Sequence, residues 1–170
     1  IGVGTATAKY SSQLQNLEAN VYHCCGCWTK LLCGARWLQL EEFASVAGTG
    51  TLGTSSRTAD VTNDLYGGHL GVQRLLYDYC GCFTIDSTLK AGVFANSINR
   101  NVAGFGTAGL DKTGVSFVGD LEFQATFEIT CCWSLTAGYQ MLRLTGTANA
   151  PDQLKQPDVI NSGQFVFYHG

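Results

Sequence analysis

The chain has 170 residues, enough for one domain (1–170) with a sizeable core. Hydrophobic residues make up 45% and charged residues 14%, with a net charge of −3, so no nucleic-acid partner is expected. No run of about 18 apolar residues occurs, which excludes a transmembrane helix. The chain starts at Ile1, so we expect a processed chain or a fragment from which any signal peptide has been removed. Its 8 Cys indicate an oxidising compartment.

Most of the chain alternates between apolar and polar side chains, which indicates β-strands with one apolar face. The clearest case is 120–130, where the alternation is strict over the whole segment. A helical stripe through Leu14, Leu17 and Val21 is the alternative for 15–23. In chain order, the predicted strands are 15–23, 30–43, 64–76, 84–96, 120–130, 133–144 and 163–170. Residues 1–10 form a possible extra or exchanged strand.

The connections between these strands are of two kinds. Segments 44–62, 97–115 and 145–162 are rich in Gly, Ser, Thr and Asn, which is typical of long loops. Cysteine-rich tight turns separate the other strands, in the sequences HCCGCW, YCGCF and TCCW. In an up-and-down meander the short turns share one rim and the long loops share the other. We therefore predict an all-β, antiparallel up-and-down β-barrel of about eight strands, seven of them clear.

The polar faces of the strands carry charges of both signs. A soluble barrel or sandwich turns such faces to water, whereas a membrane barrel encloses them and presents its apolar faces to lipid. Opposite charges can pair in a narrow lumen, and strands of about 9–11 residues suffice to cross a bilayer. We predict the membrane-type arrangement. The predicted polar lumen residues are Glu18, Arg36, Glu42, His69, Asp86, Lys90, Glu122 and Glu128.

The cysteines are candidates for disulfides or cross-links rather than for a metal site. Zinc or an iron–sulfur cluster is the alternative, but the chain lacks a second C-x-x-C. Adjacent cysteines at a strand end point to opposite faces, so one can bond within the barrel and the other to another molecule. The candidates are Cys24, Cys25, Cys27, Cys33, Cys80, Cys82, Cys131 and Cys132. Cys33 lies inside a predicted strand, away from the rim.

Catalytic signals are weak. The G-x-G-x-x-G match at 104–109 is not followed by a helical pattern, as a dinucleotide site requires. Glu122 and Glu128 are six residues apart on one strand face, about 20 Å, which is too far for paired-carboxylate hydrolysis. The three histidines are scattered. We predict no enzymatic activity and no cofactor.

Several motifs resemble the type-7 putative β-barrel porin family, known mainly from planctomycete bacteria. They are LLCGARWLQLEE (31–42), NDLYGGHLGVQ (63–73), LKAGVFAN (89–96) and GYQMLRLTGTANAPDQL (138–154). The resemblance implies a bacterial outer-membrane-type barrel without an established activity. It places the family's arginine and glutamate at Arg36 and Glu42. The chain is shorter than expected for that family, and the cysteine turns are additions to its pattern.

Two functions follow from these features. The first is a structural barrel subunit of a bacterial cell envelope or extracellular fibre, which assembles with itself and is cross-linked through the cysteine-rich rim. The second is a small outer-membrane barrel that serves as a porin-like channel or as an anchor in the lipid bilayer. A weaker third hypothesis is an extracellular binding module. The Ser/Thr-rich segment 48–58 is a possible site of O-linked glycans.

Overall fold

The computed structural model describes residues 5–50, 53–104, 108–154, 160, 162 and 164–170. These residues form one sheet of seven antiparallel strands in sequence order, which confirms the all-β up-and-down class. The strands are β1 (Thr5–Cys24), β2 (Thr29–Gly50), β3 (Gly53–Tyr79), β4 (Phe83–Ala103), β5 (Ala108–Thr130), β6 (Trp133–Thr147) and β7 (Gln164–His169). One short helix, α1 (Ala150–Gln153), precedes β7.

Two of the three predicted long loops are instead extensions of strands. β2 runs to Gly50 and β3 begins at Gly53, while β4 and β5 extend through most of 97–115. The glycine, serine and threonine content suggested loops, but apolar residues alternate with the polar ones. Inward side chains such as Ala59, Val61 and Ile98 are fully buried in these extensions. This burial favours extended pairing over an irregular loop.

The N-terminal prediction also needs correction. Residues 5–10 are the first part of β1, which pairs with β2 from Thr5↔Thr49 to Cys24↔Lys30 without a break. The described part of 1–10 is therefore not a separate eighth strand, and residues 1–4 lie outside the described residues. Residues 15–23 belong to the same strand, so the helical alternative is wrong.

The sheet is rolled but not closed. In a flat sheet, six strand spacings would separate β1 and β7 by about 29 Å. Instead, the Ser12 hydroxyl of β1 and the Tyr168 hydroxyl of β7 are hydrogen-bonded at 2.6 Å. No backbone pairing joins β1 to β7 among the residues described, so a seam remains between them. The predicted closed barrel of about eight strands is thus a seven-stranded rolled sheet with an open seam.

A hydrophobic core fills the rolled sheet on the side away from the cysteine turns. Leu38, Leu65 and Phe94 pack with residues of β5 and β6, and a second cluster surrounds α1. The second cluster contains Ala44, Ala59, Val61, Ile98, Val102, Ala148, Ala150 and Ile160. Apolar side chains therefore occupy much of this half of the interior, together with buried polar groups such as Glu42, Asn63 and Arg100.

Asn63 of β3 attaches the segment before α1 to the barrel wall. Its Nδ2 donates to the Ala148 carbonyl and its Oδ1 accepts from the Ala148 amide, both at 2.9 Å and both buried. Replacing Asn63 with Ala leaves two buried backbone groups unpaired. We expect a loss of about 2–4 kcal/mol in the free energy of unfolding, measured by urea titration. The exposed neighbour variant Asp60→Ala is the control, and equal stability of the two variants would contradict the prediction.

Candidate functional site

The outward surface of the sheet is divided into two zones. Near the cysteine turns the outward side chains are large and apolar, and many are strongly exposed, such as Trp133 at 74% and Leu70 at 70%. We call this zone the outer band. It includes the outward positions from Leu31 to Trp37 of β2 and from Phe83 to Ala95 of β4. Its strongly exposed members are Leu17, Val21, Leu31, Tyr66, Leu70, Leu89, Val93, Val115, Phe117, Phe123, Phe127, Ile129, Trp133, Leu135, Tyr139, Phe165 and Phe167.

Beyond the outer band, towards the β2–β3 and β4–β5 hairpins, the outward side chains are polar. On β4, outward positions change from Leu89 and Val93 to Ser97, Asn99 and Asn101 along the same face. Exposed Lys9, Glu41 and Asp60 on the first three strands continue this polar surface. This change from apolar to polar outward side chains occurs on each of the strands β1 to β5, so it extends around most of the rolled sheet.

The interior changes in the opposite sense. Where the outer surface is polar, the interior contains the apolar cluster of Ala59, Val61 and Ile98 around α1. The cluster of Leu38, Leu65 and Phe94 lies at the boundary, behind the last positions of the outer band. Where the outer surface is apolar, the interior contains buried charged side chains from four strands. One half of the molecule therefore has the polarity of a soluble protein, and the other half has the reverse polarity that membrane barrels show.

These four charged side chains, together with the adjacent imidazole of His69 on a fifth strand, form what we name the charge cluster: Glu18, Arg36, His69, Lys90 and Asp120. Arg36 of β2 reaches across the barrel, and its Nη1 donates to Asp120 Oδ2 of β5 at 2.8 Å. Arg36 is 5% exposed and Asp120 is 2% exposed. The Nε of Arg36 lies 3.4 Å from Glu18 Oε2. Such deep burial is tolerated because each charge has a partner of opposite sign.

Lys90 and His69 complete the charge cluster. The Nζ of Lys90 lies 2.9 Å from Glu18 Oε1 and 3.5 Å from Asp120 Oδ2, so it bridges both carboxylates. The Nε2 of His69 lies 2.7 Å from Asn20 Oδ1. A Cβ at Gly34 would collide with Asn20 and would come within 2.9 Å of the His69 ring. Glycine at position 34 therefore makes room for the histidine.

The predicted lumen residues do not form a single group. The charge cluster contains four of them, Glu18, Arg36, His69 and Lys90. Glu42 is instead buried against α1, farther from the cysteine turns. Asp86 and Glu122 are half-buried towards the cysteine turns, and Glu128 is exposed. None of these last three has an ion pair within the described chain.

Sequence reasoning missed Asp120 and its partner Gln140. The Nε2 of Gln140 donates to both carboxylate oxygens of Asp120, at 2.8 and 2.9 Å. The sequence does indicate Asp120, because in the alternating pattern of 120–130 it lies on the same polar face as Glu122. Gln140 carried no comparable signal, because its role depends on the pairing of β5 with β6.

Glu42 links α1 to the barrel wall. Its Oε2 accepts from the Ala150 amide and its Oε1 accepts from the Tyr10 hydroxyl, both at 2.8 Å. Burial of the hydroxyl end, and then the hydrogen bond and negative charge of Glu42, raise the pKa of Tyr10 to about 12. The phenol is the neutral form, so this stabilisation is complete below pH 10 and is lost as the pH rises through about 12.

We expect the variant Glu42→Gln to lower the pKa of Tyr10 towards 10, because the negative charge and the acceptor carboxylate are removed. The measurement is ultraviolet titration of tyrosinate, with Tyr10→Phe used to identify the Tyr10 component. An unchanged Tyr10 titration in Glu42→Gln would contradict the assignment. Glu41→Gln, which alters an outward carboxylate on the same strand, is the matched control and should leave the titration unchanged.

The three cysteine turns lie at the same end of the sheet, as the meander requires. All eight cysteines are free thiols and all are exposed, so no intrachain disulfide joins them. Cys33 is on the outward face of β2, opposite Val21 and Leu70. Adjacent Cys131 and Cys132 do not point apart as predicted, since both belong to the turn between β5 and β6, and their Sγ atoms are 3.7 Å apart.

No group of three or more His, Cys, Asp or Glu side chains in the described residues is placed to hold a metal ion. Gly104 and Gly109 of the G-x-G-x-x-G match flank positions 105–107, which lie outside the described residues. No helix in the part of the chain that the structure covers is long and apolar enough to cross a membrane.

No protein-family model and no curated protein matches this chain. The resemblance of its motifs to the type-7 putative β-barrel porin family therefore stays a prediction.

Proposed function

We propose that the chain is a small outer-membrane-type β-barrel of a bacterial cell envelope, which acts as a membrane anchor. The observation that carries this proposal is the reversal of polarity along the barrel. An apolar exterior around a charged interior is unfavourable in water, because large side chains such as Trp133 and Leu70 stay exposed. In a bilayer the same exterior is solvated by lipid tails, and the interior charges are kept away from them.

The dimensions of the outer band fit this role. On β2 it covers the outward positions from Leu31 to Trp37, and on β4 those from Phe83 to Ala95. At about 3.3 Å per residue these segments measure about 20 and 40 Å along the strand. With the tilt of barrel strands, this range brackets the roughly 25 Å apolar band of outer-membrane barrels. The strands continue well beyond the outer band, so the polar half would stand in water.

An anchor fits the interior better than a channel does. The charge cluster fills one level of the barrel with paired side chains, and the fully buried Leu38, Leu65 and Phe94 fill the next level. A conducting pore needs a continuous polar path, which this apolar level interrupts. We therefore favour the anchor over the porin-like channel within the membrane proposal.

Membrane insertion also requires that the seam be closed, because unpaired backbone groups are costly in lipid. Within the described part of the chain, β6 pairs with β7 only from Met141 onwards, apart from the Gln140–Gly170 bonds. Among those residues, 133–139 therefore has a free edge at the level of the outer band. The proposal therefore expects another strand, from outside the described residues or from a second copy, to pair there. Slow amide exchange in 133–139 in vesicles and fast exchange in detergent-free buffer would support this.

The test of the proposal is flotation with lipid vesicles, followed by an alkaline carbonate wash. An anchor stays with the vesicles after the wash and resists extraction by anything but detergent. A chain that remains folded and soluble in buffer and does not float would overturn the proposal. Planar-bilayer recording of the inserted protein then separates anchor from channel, since the packed interior predicts no steady conductance.

The structural subunit is the second candidate, and the exposed free thiols favour it. Seven cysteines occupy three turns at one end, where they are accessible to another copy of the chain. Partners would then be copies of the chain itself, cross-linked into an envelope layer or an extracellular fibre. Non-reducing gels test this candidate directly. Reducible multimers in native material support it, and a monomer under both conditions overturns it without affecting the membrane proposal.

A further inference from the structure

The turn between β5 and β6 brings two thiol groups into contact. Cys131 and Cys132 are its two residues, and their Sγ atoms lie 3.7 Å apart on the exposed surface. The Cys132 amide donates to the Thr130 hydroxyl at 3.3 Å, which supports the turn. Sequence adjacency alone does not produce this arrangement, because neighbouring residues of a strand point to opposite faces.

We propose that Cys131 and Cys132 form a vicinal dithiol site that low-molecular-weight disulfides oxidise to an intrachain disulfide. This inference is independent of the membrane proposal, since it rests on the contact between the two sulfur atoms. It also changes the second candidate function, because an oxidised pair is no longer available for cross-links between copies of the chain. The remaining six cysteines would have to supply those cross-links.

The reaction is two successive thiol–disulfide exchanges. First, the thiolate of one cysteine attacks a small disulfide RS–SR. A protein–SR bond forms, the RS–SR bond breaks, and one RS⁻ leaves and takes up a proton. Second, the neighbouring thiolate attacks the protein sulfur of this mixed disulfide. The Cys131–Cys132 bond forms and a second RS⁻ leaves. The protein loses two electrons and two protons, and the small disulfide becomes two thiols.

The second exchange should outcompete reactions with other molecules. Contact between the two sulfur atoms gives the attacking thiolate a high effective concentration, which a thiol on another chain cannot match. A lone exposed thiol such as Cys33 has no such neighbour within its own peptide segment, so it should stop at the mixed disulfide. Cys33 is therefore an internal control in the same protein.

The distribution of Lys and Arg makes the test possible on the full native chain. Trypsin releases 113–143 with Cys131 and Cys132 as its only cysteines, and 31–36 with Cys33 alone. The reduced protein is equilibrated with glutathione disulfide, alkylated, digested and analysed by mass spectrometry. We expect 113–143 to lose the mass of two hydrogens, with this form exceeding its glutathione adduct by at least about tenfold. Peptide 31–36 should carry glutathione.

Three results would overturn the proposal: stable glutathione on both sulfurs of 113–143, a disulfide from 113–143 to another peptide, or two alkylated thiols after equilibration. The variant Cys132→Ser gives the second readout, because the first exchange can proceed and the second cannot. It should retain glutathione on Cys131 in peptide 113–143. An unmodified Cys131 in this variant would contradict the mechanism, since it would show that the first exchange does not occur.

Discussion

Placing an arginine on the outer band is expected to lower the stability of the inserted protein by about 2–4 kcal/mol. Val93 of β4 is a suitable position, because it is 55% exposed on the outer band and shares its strand and face with a polar control position. In the variant Val93→Arg, a charged group that water would solvate must instead face lipid tails. The measurement is urea unfolding in lipid vesicles, monitored by tryptophan fluorescence.

The matched control lies on the same face of the same strand. Asn99 is exposed six residues further along β4, on the polar half of the wall. The variant Asn99→Arg should change stability by no more than about 0.5 kcal/mol, because its side chain stays in water. If Val93→Arg is as mild as Asn99→Arg, the outer band faces water and the membrane proposal fails.

Replacing Arg36 with methionine is expected to cost about 3–5 kcal/mol in the free energy of unfolding. The substitution keeps most of the volume but leaves Asp120 buried at 2% exposure without its closest cationic partner. Lys90 is the only other cation of the charge cluster within 4 Å of Asp120 among the described residues, at 3.5 Å. Urea unfolding in detergent micelles measures the loss.

Two further variants separate lost ion pairing from lost packing. The double variant Arg36→Met with Asp120→Leu removes both charges, so it should be more stable than Arg36→Met alone. Arg74→Met removes an exposed cation outside the charge cluster and should have little effect. If Arg36→Met and the wild type have the same midpoint urea concentration of unfolding, the buried pair does not stabilise the fold, and the prediction is wrong.

The strands and their faces were predictable because alternation with period two is a local property. In 120–130 every second residue is apolar, and the outward positions Phe123 and Phe127 are indeed exposed on the outer band. The hairpin extensions were not predictable from composition, because Gly, Ser and Thr are also typical of loops. What distinguishes them is burial of apolar residues such as Ala59 and Ile98 around α1, which is a tertiary effect.

The charge cluster was predictable only in part for the same reason. The alternation of apolar and polar residues indicates which face of a strand a residue occupies, and it predicts that Arg36 and Lys90 point inward. The alternation does not indicate how far along the barrel a residue lies, or which residue faces it across the lumen. Glu42 is six residues from Arg36, about 20 Å along the strand, and meets α1 instead of the charge cluster. The partnership of Arg36 with Asp120 depends on how the sheet is rolled.

The cysteine turns show the limit of sequence reasoning most clearly. The expected opposite orientation of adjacent cysteines follows from strand geometry, and it fails for Cys131 and Cys132 because the strand ends at Thr130. A shift of one or two residues in the end of a strand thus converts two separate thiols into a contacting pair. Such boundaries are the least predictable part of a strand.

The depth of single tryptophans in a bilayer tests the central claim most directly. Trp37 is on the outer band of β2, and Phe43 is on the same face six residues further into the polar half. One variant keeps Trp37 alone, with Trp28→Phe and Trp133→Phe. A second adds Trp37→Phe and Phe43→Trp to these changes. In vesicles of brominated lipids, we expect strong fluorescence quenching in the first variant and little in the second. Equal, weak quenching in both would contradict a membrane anchor.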